Sequence, residues 1–330
     1  MEGSSKNIAP LVQKMAIATI LVALLPIGIG SVVTTLKAGM AFADWPTSDG
    51  ENMLLYNFFK DIRHTDRFFE HTHRLAGMLI GVFTITLVAV TFWKEKTRWV
   101  RAWSIAILIA VIIQGLLGGL RVIQNDQAMA MVHSITGGLF FALCFVFAHK
   151  VRRPGELERQ QDAARDSRIS WPVFSVALLL PILVVGQYFL GGMFRHLGMM
   201  LDQHVMGATV VFLVSVFVIF GLWRSDSVRL RNRMKWLSAA LMLQISLGVG
   251  AWATKLGIKS IGYVASVNGL LQSVVCSLHT IGGMFLLATS ATVAVELWLL
   301  AEAGYLAKVP ARKSASVVPT NVQRPEGSVS

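Results

Sequence analysis

The sequence predicts an all-α integral membrane protein: eight transmembrane helices, arranged as two parallel-repeat four-helix bundles with both termini cytoplasmic. Three observations predict it. Hydrophobic residues make up 54% of the 330 and charged residues only 15%, too little charge to cover a soluble domain of this size. Apolar runs of roughly 20 residues, the length that crosses a bilayer core, recur along the chain. They fall at about 15–36, 71–93, 102–120, 129–149, 171–192, 203–223, 236–253 and 271–299. Lastly, the basic residues alternate between successive loops.

The first run follows Lys14 directly. It exceeds the apolar core of a signal peptide and no small-residue cleavage site follows, so it reads as a retained helix. Lys and Arg gather in the N-terminus, in the loops after the second, fourth and sixth runs, and in the tail. That places 21 of the 30 on one side and 9 on the other, which makes both termini cytoplasmic. One missed helix would break this alternation. The net charge of +12 is therefore a mark of topology and not of nucleic-acid binding. Cys144 and Cys276 sit in apolar runs of different halves, match no CxxC spacing and read as packing residues.

The charged segment KVRRPGELERQQDAARDSRIS divides the chain. We expect an N-terminus at 1–14, a first bundle at 15–150, a cytoplasmic linker at 151–170, a second bundle at 171–300 and a tail at 301–330. The proline- and serine-rich tail reads as disordered. An internal repeat supports the division. QxxLG occurs as Gln114–Gly118, Gln187–Gly191 and Gln244–Gly248, at the outer ends of the third, fifth and seventh runs. The even runs open with a histidine followed by glycine: His73 and Gly77, His133 and Gly137, His204 and Gly207, His279 and Gly282. An even number of helices per half gives both halves the same orientation, a parallel repeat.

Four histidines at matched positions point to a cofactor. Ionisable groups in a membrane are costly and usually functional. Imidazole binds haem iron, and helix bundles build cofactor sites from facing helices. Two helices of one half can offer imidazoles to opposite faces of one iron, so His73 pairs with His133 and His204 with His279 as metal ligands. Zinc or di-iron would want thiolates or carboxylates among the ligands, and the C-terminal pair has none inside its helices, with Asp202 only at the edge. The glycines after each histidine would let a flat macrocycle approach the backbone. His71 points about 160° away from His73 around the helix, so only one of them faces the pocket.

The halves differ at Glu70, three residues before His73 and on the same helix face. The C-terminal histidines have Leu201 and Cys276 at that spacing. The N-terminal site thus has an acid/base group beside its iron and the C-terminal site looks like an electron relay. Haem propionates need cations; Arg74, Arg121 and Arg195 are the candidates on the outer side. His64 and His196 are expected in outer loops, solvated, and His149 at the cytoplasmic end.

With these residues in hand, the chain resembles the haem A synthase family, bacterial and mitochondrial. The resemblance rests on Glu70-x2-His73-Arg74, His133, His204, His279, the QxxLG repeats and an outer loop running from Thr34 to Asp44-Trp45-Pro46. It implies oxidation of the C8 methyl group of haem O to a formyl group, giving haem A for cytochrome oxidase, with oxygen from water. It implies substrate haem O on His73 and His133 with Glu70 catalytic, and a permanent haem b on His204 and His279. Expected partners are haem O synthase as supplier, a quinone or other membrane electron acceptor, and a second copy of the chain; the location is the bacterial cytoplasmic membrane, with the haem sites near the outer face. The chain departs from the family in two ways: the loop cysteine pair of many members is absent from Ala38 to Asp61, and Leu36 stands where an arginine usually follows the threonines. A di-haem electron-transfer protein and a non-catalytic haem carrier for oxidase assembly also account for four histidines, but give Glu70 no task.

Overall fold

A computed structural model describes residues 8–152, 169–225, 227–258, 260, 262, 264–265 and 269–302. The expected linker lies mostly, and the expected tail almost wholly, outside the described residues. Eight helices among the described residues are long and apolar enough to cross a membrane. They are α1 (Pro10–Thr35), α2 (Thr65–Lys94), α3 (Arg98–Gln124), α4 (Gln127–Arg152), α5 (Trp171–Leu197), α6 (Leu201–Trp223), α7 (Val228–Leu256) and α8 (Leu270–Glu302). The chain is a multi-pass membrane protein.

The helices outrun the apolar stretches of the sequence because their polar ends remain helical. α2 begins at Thr65 and not near 71, and its first turns carry Asp66, Arg67 and Glu70 against a folded loop. α7 begins at Val228, capped by Ser227, whose Oγ accepts from Leu230 N at 3.3 Å. Pro26 and Pro181 sit inside α1 and α5, tolerated because neighbouring helices and local adjustments satisfy the freed carbonyls. The chain leaves α5 through Gly198 at φ +72°, a left-handed C-terminal cap that favours glycine.

The loop between α1 and α2 adds an unforeseen element. Thr47–Ser48 pairs with Glu51–Asn52 in a two-stranded antiparallel hairpin. Its turn, Asp49-Gly50, has positive φ at both residues, the two-residue hairpin signal that Asp-Gly provides. A short 3₁₀ turn, Phe58–Asp61, follows before α2.

α1, α4, α5 and α8 touch one another at the centre, and α8 is the most buried span. Small residues bring it close: Gly282, Gly283, Ala288 and Ser290 are all buried, and close backbone approach is what drives helix association in lipid. Phe141 of α4 and Phe285 of α8 meet edge to face, centroids 5.1 Å apart. Buried charges tie both ends. At one end His149 of α4 meets Glu296 of α8 at 2.8 Å, and Glu296 pairs with Arg229 of α7, also at 2.8 Å. At the other, Arg195 of α5 donates to Ser31 O at 2.7 Å and Thr35 Oγ1 at 2.9 Å on α1, and to Thr280 and the Cys276 carbonyl on α8.

Removing one member of a buried ion pair strands the other. Glu296→Gln should lower stability by about 3 kcal/mol, read as a drop in thermal melting temperature in detergent.

Candidate functional site

Each of the four histidines rests its ring on a glycine of the preceding helix. A Cβ built on Gly118 of α3 would stand 3.2 Å from His133 Cε1; one on Gly191 of α5, 2.9 Å from His204 Cε1; one on Gly248 of α7, 3.1 Å from His279 Cε1. The fourth platform is Gly30 of α1, where a Cβ would stand 2.7 Å from His73 Nε2. Any larger residue would push the ring away. The glycine that closes QxxLG is therefore the seat of the next helix's histidine, and the motif lies one to two turns inside its helix, not at the end.

The glutamine that opens QxxLG fits the glycine after the histidine. Gln187 Oε1 and Gln244 Oε1 fill the space that a Cβ at Gly207 or Gly282 would need. Gln114 Nε2 lies 3.5 Å from the place of a Cβ at Gly137. Gln187 Nε2 also donates to the His204 carbonyl at 2.8 Å and lies 3.0 Å from His204 Nδ1. Gln114 Nε2 donates to Thr136 Oγ1 at 2.9 Å and reaches the His133 carbonyl at 3.4 Å. Gly207 and Gly282 thus make room for glutamines, while at Gly137 the glutamine is only in ordinary contact. The same exchange thus recurs at the α3–α4, α5–α6 and α7–α8 junctions.

The structure brings the histidines together in the expected pairs. The rings of His73 and His133 have centroids 6.1 Å apart at 85°, and those of His204 and His279 are 6.3 Å apart at 85°. A nitrogen–metal bond is about 2.0 Å and the nitrogen lies about 1.1 Å from its ring centre, so imidazoles on opposite faces of one iron have centres about 6.2 Å apart. Among the described residues, no group of three or more His, Cys, Asp or Glu is placed to hold a metal ion. Two imidazoles per site, with no third donor, suit an iron whose remaining positions a macrocycle fills.

Glu70 is fully buried beside this first pair. Its Oε2 accepts from the Ala41 N–H at 2.6 Å and more weakly from Phe42 N–H at 3.4 Å; its Oε1 takes Arg74 at 2.9 Å. Arg74 in turn donates to the carbonyls of Asp44 and Thr47 at 2.9 and 2.8 Å. The loop is thus laced onto α2 through Glu70 and Arg74. Trp45 packs its indole on Gly119, next to the seat of His133. The sequence reading missed Trp45 as a site residue although Asp-Trp-Pro was on view. His71 does not enter the pocket. It is wholly buried under the loop, 3.2 Å from Ser48 Oγ and against the rings of Tyr56 and Phe42.

The arginines divide. Arg74 and Arg195 are occupied with protein groups. Arg121 has no hydrogen-bond partner among the described residues; its guanidinium lies against Gly39, where a Cβ would come 2.9 Å from Nη1, and within electrostatic reach of Glu70. His196 was expected in a solvated loop and is instead in the last turn of α5, 3.1 Å from Ser134 Oγ of α4 and beside His133. His64 is exposed, immediately before α2. His149 lies at the opposite end, in the cluster with Glu296.

Polar bonds hold the loop closed. The Asp44 carboxylate accepts from the backbone N–H groups of Asp49 and Gly50 at 2.9 and 2.8 Å. Asp61 accepts from Tyr56 OH at 2.6 Å and pairs with Arg67 at 3.3 Å. Burial acts to raise both acids, but these bonds and the Arg67 charge outweigh it and hold both below the ordinary value of 3.8. A depressed folded value means stability present above the ordinary value and lost as pH falls through the folded one. Protease cleavage of the 36–64 loop should therefore stay flat from about pH 8 to pH 5 and rise only in more acid solution. Gly119→Val should displace Trp45 and open the loop to cleavage at neutral pH; unchanged protection would refute the seating of Trp45.

Comparisons with known proteins bear on the same region. Residues 52–203 match the family model of the COX15-CtaA cytochrome oxidase assembly proteins. The chain is similar to heme A synthase of Paracoccus denitrificans (strain Pd 1222), 26% identical over 138 residues, which is 39% of this chain. The match spans 35% of that relative's length. No solved structure matches. The matched segment carries Glu70, His73, Arg74, Arg121, His133 and Arg195, the greater part of the loop-covered site. The chain is thus similar, over a little under half of its length, to the COX15-CtaA cytochrome oxidase assembly proteins.

Proposed function

We propose that this chain is a haem A synthase, which oxidises the C8 methyl group of haem O to a formyl group for cytochrome oxidase. The observation that carries the reading is Glu70: a buried carboxylate next to one histidine pair, fixed by Arg74 and by the backbone of a covering loop. A pure electron carrier has no use for such a group on one side only.

The overall change is methyl plus water to formyl, with release of four electrons and four protons. Haem O is the substrate, its iron between His73 and His133. Glu70 is the proton acceptor, since water must lose protons to become the formyl oxygen, and Arg74 keeps its carboxylate aimed. The loop, seated through Trp45 on Gly119, shuts bulk water out of the pocket. Arg121, with donors to spare, meets a propionate. When bound, a b-type haem on His204 and His279 supplies a one-electron redox centre between the substrate and a membrane acceptor of the quinone class. We place both sites near the outer face of a bacterial cytoplasmic membrane with both termini inside, on the distribution of basic residues. Haem O synthase is the supplier of the substrate.

Glu70→Gln keeps the shape and removes the base. Expressed with a haem O supply, it should cut haem A yield by about 10²-fold or more, measured by pigment extraction and mass analysis, while the absorbance of the b-type haem persists. Haem A at wild-type levels would sink the catalytic assignment.

A further inference from the structure

Three of the four histidines are backed by a glutamine and one is not. Four residues before the supporting glycine stand Gln114 on α3, Gln187 on α5 and Gln244 on α7. On α1 the residue four before Gly30 is Pro26. The glycine that would receive such a glutamine is nevertheless present on α2, as Gly77. A Cβ there would meet nothing within 4 Å, whereas Gln114 Nε2 lies 3.5 Å from a Cβ at Gly137, at the same spacing from its histidine, and Gln187 and Gln244 fill the space at Gly207 and Gly282.

His73 is seated differently as well. It turns its Nε2–Cδ2 edge to its glycine, while the other three turn Cε1 and Nδ1. Among the described residues no hydrogen bond reaches its imidazole, and the buried Nδ1 atoms of His133 and His279 have none either; the difference is that Gln114 bonds the carbonyl of His133 and Thr136 beside it and Gln187 reaches both the carbonyl and the ring of His204, while α1 brings no glutamine to His73. A metal-binding histidine is ordinarily held by groups around it, and losing such support costs 10–100-fold in metal affinity.

We infer that His73 is the exchangeable axial ligand of the substrate pocket. Haem enters and leaves by the making and breaking of the His73 bond, while His133 stays on the iron. The inference rests on the proposed function, because a substrate must be released in every turnover and a resident haem must not be. The device is thus an omission, one glutamine replaced by a proline that can neither bond the ring nor fill the slot.

Carbon monoxide tests it, since it takes only an iron position that a ligand vacates. In dithionite-reduced protein carrying haem in both pockets, one haem equivalent should bind carbon monoxide. His73→Ala should keep the N-terminal haem on His133 and bind the gas faster; His133→Ala should lose that haem. Pro26→Gln supplies the missing glutamine and should slow binding by about 10–100-fold relative to Pro26→Ala, which controls for loss of the proline. The absorbance of the haem on His204 and His279 reports that each variant is folded. Equal haem loss in the two histidine variants, or equal rates in the two Pro26 variants, would overturn the inference and leave the haem site standing. Unchanged haem content in both histidine variants would instead refute the site itself, and the inference with it.

Discussion

An imidazole can lie against a helix backbone only where no Cβ intervenes, and much of this structure follows from that. Gly30, Gly118, Gly191 and Gly248 each remove one side chain, and each admits one ring. The ring then fixes how close two helices come. At three of the junctions a reciprocal pair, glutamine into glycine, fixes the register as well, and Gln187 adds a hydrogen bond directly to His204. Helix association in lipid has little hydrophobic drive to draw on and depends on such close packing and interhelical bonds. The residues that would hold the irons are therefore also those that assemble the bundle, which is why two ring pairs stand near 6 Å apart before any metal is considered.

The buried charges serve a different end. Arg195 spans α1, α5 and α8 near the histidines, and Glu296 with Arg229 and His149 spans α4, α7 and α8 at the far end. Burying such groups is expensive unless every one is partnered. Partnered, they admit few alternatives, because sliding any of these helices by a turn would strand a charge in hydrocarbon. The interior of α8, lined with glycine, alanine and serine, would tolerate sliding far more readily. The ionic clusters thus supply registration where the packing surface is smooth.

Hydropathy and basic-loop alternation made eight spans legible, because both depend on composition over long windows. Helix ends were not legible: the first turns of α2 and α7 are polar, and the partners that engage them, the loop at α2 and Glu296 at α7, are distant in sequence. The histidine pairs were readable because a repeat marks matched positions. The glutamines and glycines of the same repeat were visible, but their partners were not, since the meeting of Gln187 with Gly207 is a fact about two helices and not about one. Asp49-Gly50 is a plain hairpin signal, overlooked against so much helix. His196 looked like a loop residue because α5 extends past its apolar run. Arg195 was read as a propionate candidate, and its five-way bonding to protein groups has no local signature.

The covering loop shows how chemistry and fold become one constraint. Many members of the family that the sequence resembles carry a cysteine pair there, and this chain has none. Polar bonds do that work instead: Asp44 closes the hairpin turn, Asp61 gathers Tyr56 and Arg67, and Arg74 holds two loop carbonyls. Glu70 belongs to this set, because two of its hydrogen bonds come from the backbone of Ala41 and Phe42. Its carboxylate cannot move without the loop, and the loop cannot lift without releasing it. Opening the pocket would therefore free Glu70 from its backbone donors, and closing it would restore the aim. A disulfide would fasten the loop whatever the state of Glu70; polar bonds make the closed loop and the poised carboxylate a single state.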